Sequence, residues 1–276
     1  MTKRIPHKRH VRIKEFGANM SKEMSPQKEY IELSNGSLED GIFQINTDQN
    51  GFVYNPRFEK GADAPVYVLG DSFVESVFVP EGRRFCDQLS RKMAKTAPRQ
   101  FLNGGYSGAT SLNLLDTLIN KIGCQENAAV ILILPSNDTL SLRSARGFWD
   151  YGSQRYSPIL PVTDDAPTPV PLAENIHQLA AVLKVFAHTC SAFSLDLFFA
   201  TTAFVQSDYE QLPWFKARHK APGSYEALLV DRRKMNQMMR DVARATRTEI
   251  IDLETSMTDP QMFYDDVHLN EAGSQA

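Results

Sequence analysis

The chain has little cysteine: three residues in 276, Cys86, Cys124 and Cys190, far apart and odd in number. No C-x-x-C pair occurs, which argues against a disulfide framework or a zinc site and fits a reducing compartment. Long apolar runs are also missing. The most apolar long stretch, residues 179–204, is broken by Lys184, His188 and Asp196, so no transmembrane segment is expected. No apolar segment of the signal-peptide kind follows the basic start, and a cytoplasmic location is the expectation. There is no excess of basic charge either. Thirty Lys and Arg against 33 Asp and Glu leave a net charge of −3, and no nucleic-acid partner is expected. A complete phosphate-binding loop is absent. Gly105-x-x-Gly108 follows an apolar run, but Asn103 stands where the first glycine of G-x-G-x-x-G belongs, and there is no P-loop. No cofactor is expected.

What is present is the composition of a globular α/β protein, 42% hydrophobic and 23% charged. Residues 1–28 carry Lys3, Arg4, Lys8, Arg9, Arg12 and Lys14 and read as a basic flexible arm. The sharper reading of that arm is contact with an anionic surface, a membrane or an acidic glycan. Residues 29–60 read as a small β-rich extension, because Asn35-Gly36 and Asn50-Gly51 are hairpin-turn dipeptides and apolar residues flank the second.

Residues 61–276 read as the main domain. Short apolar runs at Val66–Leu69, Phe101–Leu102, Val130–Leu134, Leu195–Ala200 and Ile250–Leu253 predict five strands. Between them, apolar residues recur at helical spacing: Phe85, Leu89 and Met93; Leu112, Leu115, Ile119 and Ile122; Ile176, Leu179, Leu183 and Ala187; Tyr225, Leu228, Met235, Met239 and Val242. Alternating strands and helices predict a parallel sheet covered on both faces, a flavodoxin-like three-layer α/β/α sandwich. Two stretches exceed a minimal domain of this kind, at about 139–172 and 205–224. Both are rich in aromatic and basic residues, among them Trp149, Tyr151, Arg155, Tyr209, Trp214 and Arg218. They either pack these loops down or form a sugar platform with arginine for an acidic group.

Ligands of an open parallel sheet bind beyond the carboxyl ends of its strands. There the sequence sets Gly70-Asp71-Ser72 after the first strand and Asn103 to Gly108 after the second. Pro135-Ser136-Asn137-Asp138 follows the third strand and Asp265-Asp266-Val267-His268 the fifth. A hydroxyl, a carboxamide, an acid and an imidazole therefore converge on one edge. A serine hydroxyl needs a base to become a nucleophile, and an imidazole can serve near neutral pH. His268 would be that base for Ser72. Asp265, three residues earlier, can reach its far nitrogen. The N–H groups of Ser72 and Gly108 and the amide of Asn137 are candidate donors to an oxyanion.

These four blocks resemble, in order, those of the SGNH (GDSL-like) hydrolases, over roughly residues 65–276. The resemblance implies Ser72 as nucleophile, Gly108 and Asn137 as oxyanion donors, Asp265 and His268 as the rest of a triad, and a structural role for Asp71. Pro135 departs from the family, which has glycine there. Glu271-Ala272-Gly273 looks like the start of a helix that the end of the chain at Ala276 cuts short. The stretch Thr47 to Phe52 is similar to segments of SGNH proteins that act on O-acylated cell-envelope sugars.

Each residue also has a plainer reading. Ser72 could cap a helix, His268 could bond to backbone, and Asn137 and Asp138 could cap a turn. Asp266 reads as a solvated neighbour. His177, His188 and His219 show no carboxylate companion. A metal held by Asp71, Asp265, Asp266 and His268 would leave Ser72 and Asn137 without a role. The reading is an esterase removing a small acyl group, acetyl by expectation, from a small-molecule or glycan substrate through an acyl-enzyme. The alternatives are an O-acyltransferase using the same triad and a non-catalytic glycan-binding module.

Overall fold

Five strands form one parallel sheet: β1 (Val66–Gly70), β2 (Phe101–Gly105), β3 (Ala129–Ile133), β4 (Asp196–Ala200) and β5 (Glu249–Ile251). They lie side by side in the order β2-β1-β3-β4-β5. The computed structural model describes residues 9–55, 65–94, 96, 98–125, 127–152, 155–160, 166–206 and 212–276. The expected flavodoxin-like sheet is therefore present, with each strand within two residues of its apolar run except β2, which extends three residues further, to Gly105. Every residue of β1 is buried, as a strand covered on both faces requires.

The helices around the sheet include α1 (Ser72–Glu75), α2 (Phe85–Met93), α3 (Ser111–Thr117), α4 (Asn137–Leu142), α5 (Leu172–Ala192), α6 (Pro213–Arg218), α7 (Ser224–Thr246) and α8 (Glu271–Gln275). A wider π turn, Leu118–Ile122, continues α3 and keeps Leu118 and Ile122 in the core. Thr110 and Asn113 close a reciprocal capping box at the start of α3. On one sheet face Leu69, Val130 and Leu132 meet Leu114, Leu118, Leu179, Leu183, Phe186 and Met239. On the other, Val68, Ile133 and Ala200 meet Phe73, Val74, Phe204, Phe215, Tyr225 and Phe263. Each such side chain contributes roughly 1.5–3 kcal/mol of burial.

Cover of the sheet is incomplete at β5. Ile250 and Ile251 of β5 are 38% and 39% exposed. A cleft of about 410 Å³ opens between α2, β5 and α8, lined by Phe85, Leu89, Ile131, Ile251 and Leu269. The expectation of a sheet buried on both faces is corrected at that edge. Among the described residues no helix is long and apolar enough to cross a membrane.

The N-terminal region also departs from expectation. Residues 1–8 lie outside the described residues, but 9–28 are not a free arm. His10–Val11 pairs with Ile159–Leu160 of the first long loop. Lys14 is only 7% exposed. Ser21–Met24 pairs antiparallel with Phe43–Asn46, so the small β element takes one of its two strands from the expected arm. Within residues 29–60, Lys28–Glu32 is helical, and Asn35-Gly36 turns without joining strands. Asn35 instead donates its side-chain amide to the Phe263 carbonyl at 2.7 Å. The Asn50-Gly51 turn does close a hairpin-like bend. Asp48 accepts from the N–H groups of Asn50 and Phe52, and Thr47 bridges Val53. Val53 then bonds both ways with Asn103 at the β2 edge.

Candidate active site

Strand order reverses between β1 and its neighbours β2 and β3, which opens a crevice at their carboxyl ends. Ser72 stands there as the first residue of α1. Asp71 caps that helix, accepting from the Phe73 N–H at 3.0 Å. Its other oxygen accepts from Ser136 Oγ at 2.7 Å and from Asn137 Nδ2 at 3.0 Å. Asp71, 1% exposed, thus ties the nucleophile turn to the loop after β3. β2 comes close because Gly105 has no side chain. A Cβ there would lie 2.2 Å from the Glu75 nitrogen.

His268 reaches this crevice from the loop after Phe263. Its Nε2 lies 2.8 Å from Ser72 Oγ, and its Nδ1 lies 2.7 Å from Asp265 Oδ2. An ionised carboxylate can only accept, so Nδ1 carries the proton and Nε2 presents its lone pair to the serine. Asp265 Oδ1 accepts from the N–H groups of Val267 and His268 at 2.9 and 2.7 Å. That three-residue turn is why the Asp265-x-x-His268 spacing works. The Tyr264 ring stacks on the imidazole, centroids 5.4 Å apart and planes at 8°.

Burial alone would push the His268 imidazole down and the Asp265 carboxyl up. Their mutual charge and hydrogen bond win, and His268 is held above its ordinary value of 6.5. Asp265 is held below the ordinary carboxylate value, with Arg218 assisting.

Gly108 has φ +76°, a conformation that L side chains rarely adopt. Among the described residues, neither its N–H nor that of Ser72 meets an acceptor. These two donors are therefore unengaged. Asn137 lies against Asp71 and Ala109 and is differently engaged. Its amide hydrogens go to Asp71 and, at 3.3 Å, to the Ala109 carbonyl. Pro135 leaves this loop intact. Its carbonyl accepts from the Asp138 N–H, and Asp138 accepts from the Ser111 N–H at 2.8 Å.

Several neighbours were not read as site residues. Arg218, from the second long loop, lies 3.1 Å from Asp265 and also donates to Asp266. Asp266 is 2% exposed and accepts from Arg232 at 2.7 Å, which corrects its reading as solvated. His219 does have a carboxylate companion, Asp266 at 3.9 Å. Glu75 is buried against the crevice, where desolvation raises its carboxyl while Ser107 Oγ donates to it at 2.5 Å. Lys14 donates to the Gly108 carbonyl at 2.6 Å and to that of Arg155. No local spacing announces these contacts, since each joins distant parts of the chain.

A pocket of about 360 Å³ opens on Ser72 and His268, walled by Phe16, Tyr30, Phe78 and Tyr106 with Lys22 and Arg155 at the edge. Of the two long loops, Arg155 alone lines it among the described residues. Trp149 points elsewhere, Trp214 packs on Phe215, and Tyr209 lies outside the described residues. No group of three or more His, Cys, Asp or Glu among the described residues is disposed to hold a metal ion.

The sequence also matches the model of the GDSL-like lipase/acylhydrolase family over residues 68–276, most of the chain. The chain belongs to that family. As a GDSL-like enzyme it is a carboxylic ester hydrolase. Its fold is similar to that of the lipase/acylhydrolase from Enterococcus faecalis, at 17% identity and TM-score 0.51 over 77% of this chain and 90% of that one. An acetylxylan esterase from Geobacillus stearothermophilus is similar at 13% identity and TM-score 0.50, over 79% of this chain and 91% of that one. Another acetyl xylan esterase is similar at 13% and TM-score 0.50, over 76% of this GDSL-like chain and 94% of that one. No curated protein matches the sequence.

Proposed function

We propose that this GDSL-like hydrolase removes a small acyl group, acetyl by preference, from a carbohydrate hydroxyl through an acyl-enzyme on Ser72. The observation that carries the reading is the unbroken line from Ser72 Oγ to His268 Nε2 at 2.8 Å and from His268 Nδ1 to Asp265 at 2.7 Å. Ser72 Oγ attacks the ester carbonyl carbon as its proton passes to Nε2, and Asp265 stabilises the imidazolium. The free N–H groups of Ser72 and Gly108 receive the oxyanion. Asn137 joins them by releasing its longer bond, the one to Ala109. His268 then protonates the departing alcohol. Water attacks the acyl-enzyme with His268 again as base, which releases the carboxylic acid and restores Ser72. The aromatic walls of the pocket suit a sugar ring, and two of the similar structures are acetyl xylan esterases.

The test is hydrolysis of p-nitrophenyl acetate by the parent protein and by Ser72→Ala at about pH 8, above the ordinary imidazole value of about 6.5. The expected loss of kcat is at least about a thousandfold, with the circular dichroism spectrum unchanged. Equal rates in both proteins would sink the reading. Adding a sugar alcohol to the same assay separates hydrolysis from transfer, since only transfer yields an acetylated acceptor.

A further inference from the structure

The oxyanion loop is surrounded by positive charge that is largely left uncancelled. The Lys14 ammonium is buried against it, but its two partners are the main-chain carbonyls of Gly108 and Arg155, which carry no net charge. Burial first, then the charges of Arg12 and Arg155, brings the Lys14 pKa down to about 8. The Arg155 side chain lies directly over Gly108, its Cγ and Nε 3.0 and 3.1 Å from where a Cβ would sit. Its guanidinium has no carboxylate partner among the described residues, and neither has the ammonium of Lys22, which also lines the pocket. The one acidic side chain among the described lining residues is Glu75, raised by burial and hydrogen-bonded to Ser107. A pocket with two open cations at its edge, a buried third behind it and a carboxyl biased toward neutrality is complementary to an anion.

We propose that the Ser72 pocket selects an ester whose alcohol portion carries a carboxylate or a phosphate, and that Arg155 together with Lys22 holds that group. The guanidinium offers planar paired donors that match either anion, and the ammonium adds a point charge. This assignment rests on Ser72 marking the place where the ester binds. The neutral ring sits among Phe16, Tyr30 and Tyr106, and the charged substituent points to Arg155.

Binding to the Ser72→Ala protein, measured by calorimetry, separates the two readings because it needs no turnover. Two matched pairs serve as probes: an O-acetylated uronic acid glycoside with its methyl ester, and an O-acetylated sugar phosphate with its unphosphorylated sugar. In at least one pair the anion is expected to bind roughly tenfold to hundredfold more tightly, the range of a hydrogen bond to a charged group. The pair that shows the difference tells carboxylate from phosphate. The difference is expected to shrink in high salt and to vanish in the Arg155→Gln and Lys22→Gln double variant. Equal binding within both pairs, no binding of any probe, or a preference that survives the double variant would overturn the proposal. Ser72-dependent hydrolysis of neutral p-nitrophenyl acetate by the parent protein would be untouched by any of these outcomes, so failure of the anion site is distinguishable from failure of the esterase reading.

Discussion

At the scale of single residues, the electrostatics of His268 make a prediction with a sign. The general base must be neutral, so the rate falls as pH drops through the imidazole pKa. That pKa lies above 6.5 because Asp265 outweighs burial. Asp265→Asn is expected to lower kcat by about a thousandfold to ten-thousandfold, the scale for losing an orienting carboxylate. Its residual activity is expected to have an acid limb displaced to lower pH, read from kcat/KM for p-nitrophenyl acetate. A limb that stays in place or moves upward would show that Asp265 does not set the base. The residues of this line were legible in the sequence because their chemistry is local: Ser72 ends a strand turn, and Asp265 stands three positions before its partner. Arg218, Glu75 and Lys14 were not legible. Each finds its site partner across a long stretch of chain, where no spacing rule reaches.

At the scale of elements, the segment before the sheet braces the site from two sides. Lys14 holds the Gly108 loop through its carbonyl, while Asn35 bonds Phe263 two residues before Asp265, and Ser37 accepts from Asn270 at 3.1 Å. Lys14→Met keeps the apolar stem and deletes the ammonium, which removes the donor to the Gly108 carbonyl and leaves that of Arg155 only its longer bond from Arg12, at 3.4 Å. The expected cost is about 1–3 kcal/mol in urea unfolding. A fall of about tenfold in kcat on p-nitrophenyl acetate is also expected, with KM changed less, because about 1.4 kcal/mol of lost transition-state positioning is a factor of ten. A parent-like kcat would remove Lys14 from the positioning of the loop. The strands and long helices were readable because period and apolar content agree in them. The braces were not, since a basic, polar stretch looks the same whether solvated or threaded across a domain. The Asn35-Gly36 turn misled for a related reason. It has hairpin chemistry, but its amide goes to a distant loop instead of a neighbouring strand.

At the scale of the whole molecule, α6, α7 and the base loop are joined by one buried charge cluster. Asp266 receives Arg218 and Arg232, with His219 at 3.9 Å. Burial works against its ionisation, but Arg232 first, then His219 and Arg218, hold it well below the ordinary carboxylate value of 3.8. A depressed folded-state pKa lends stability that is present above that ordinary value and is lost as pH falls toward the folded one. Asp266→Asn leaves Arg232 buried without its counter-charge, and two of its nitrogens already lack a partner. The expected loss is about 3–5 kcal/mol in urea unfolding near neutral pH, with a smaller difference from the parent in strong acid. A variant as stable as the parent would show that the cluster is dispensable.

The contact between Ser72 and His268 spans 196 of the 276 positions of the chain. Closing so long a loop carries an entropic cost that local contacts escape. During synthesis Ser72 precedes by 196 residues the histidine proposed to activate it. If Ser72 and His268 act as proposed, a chain in which they have not yet met carries an inert serine in place of a stray esterase.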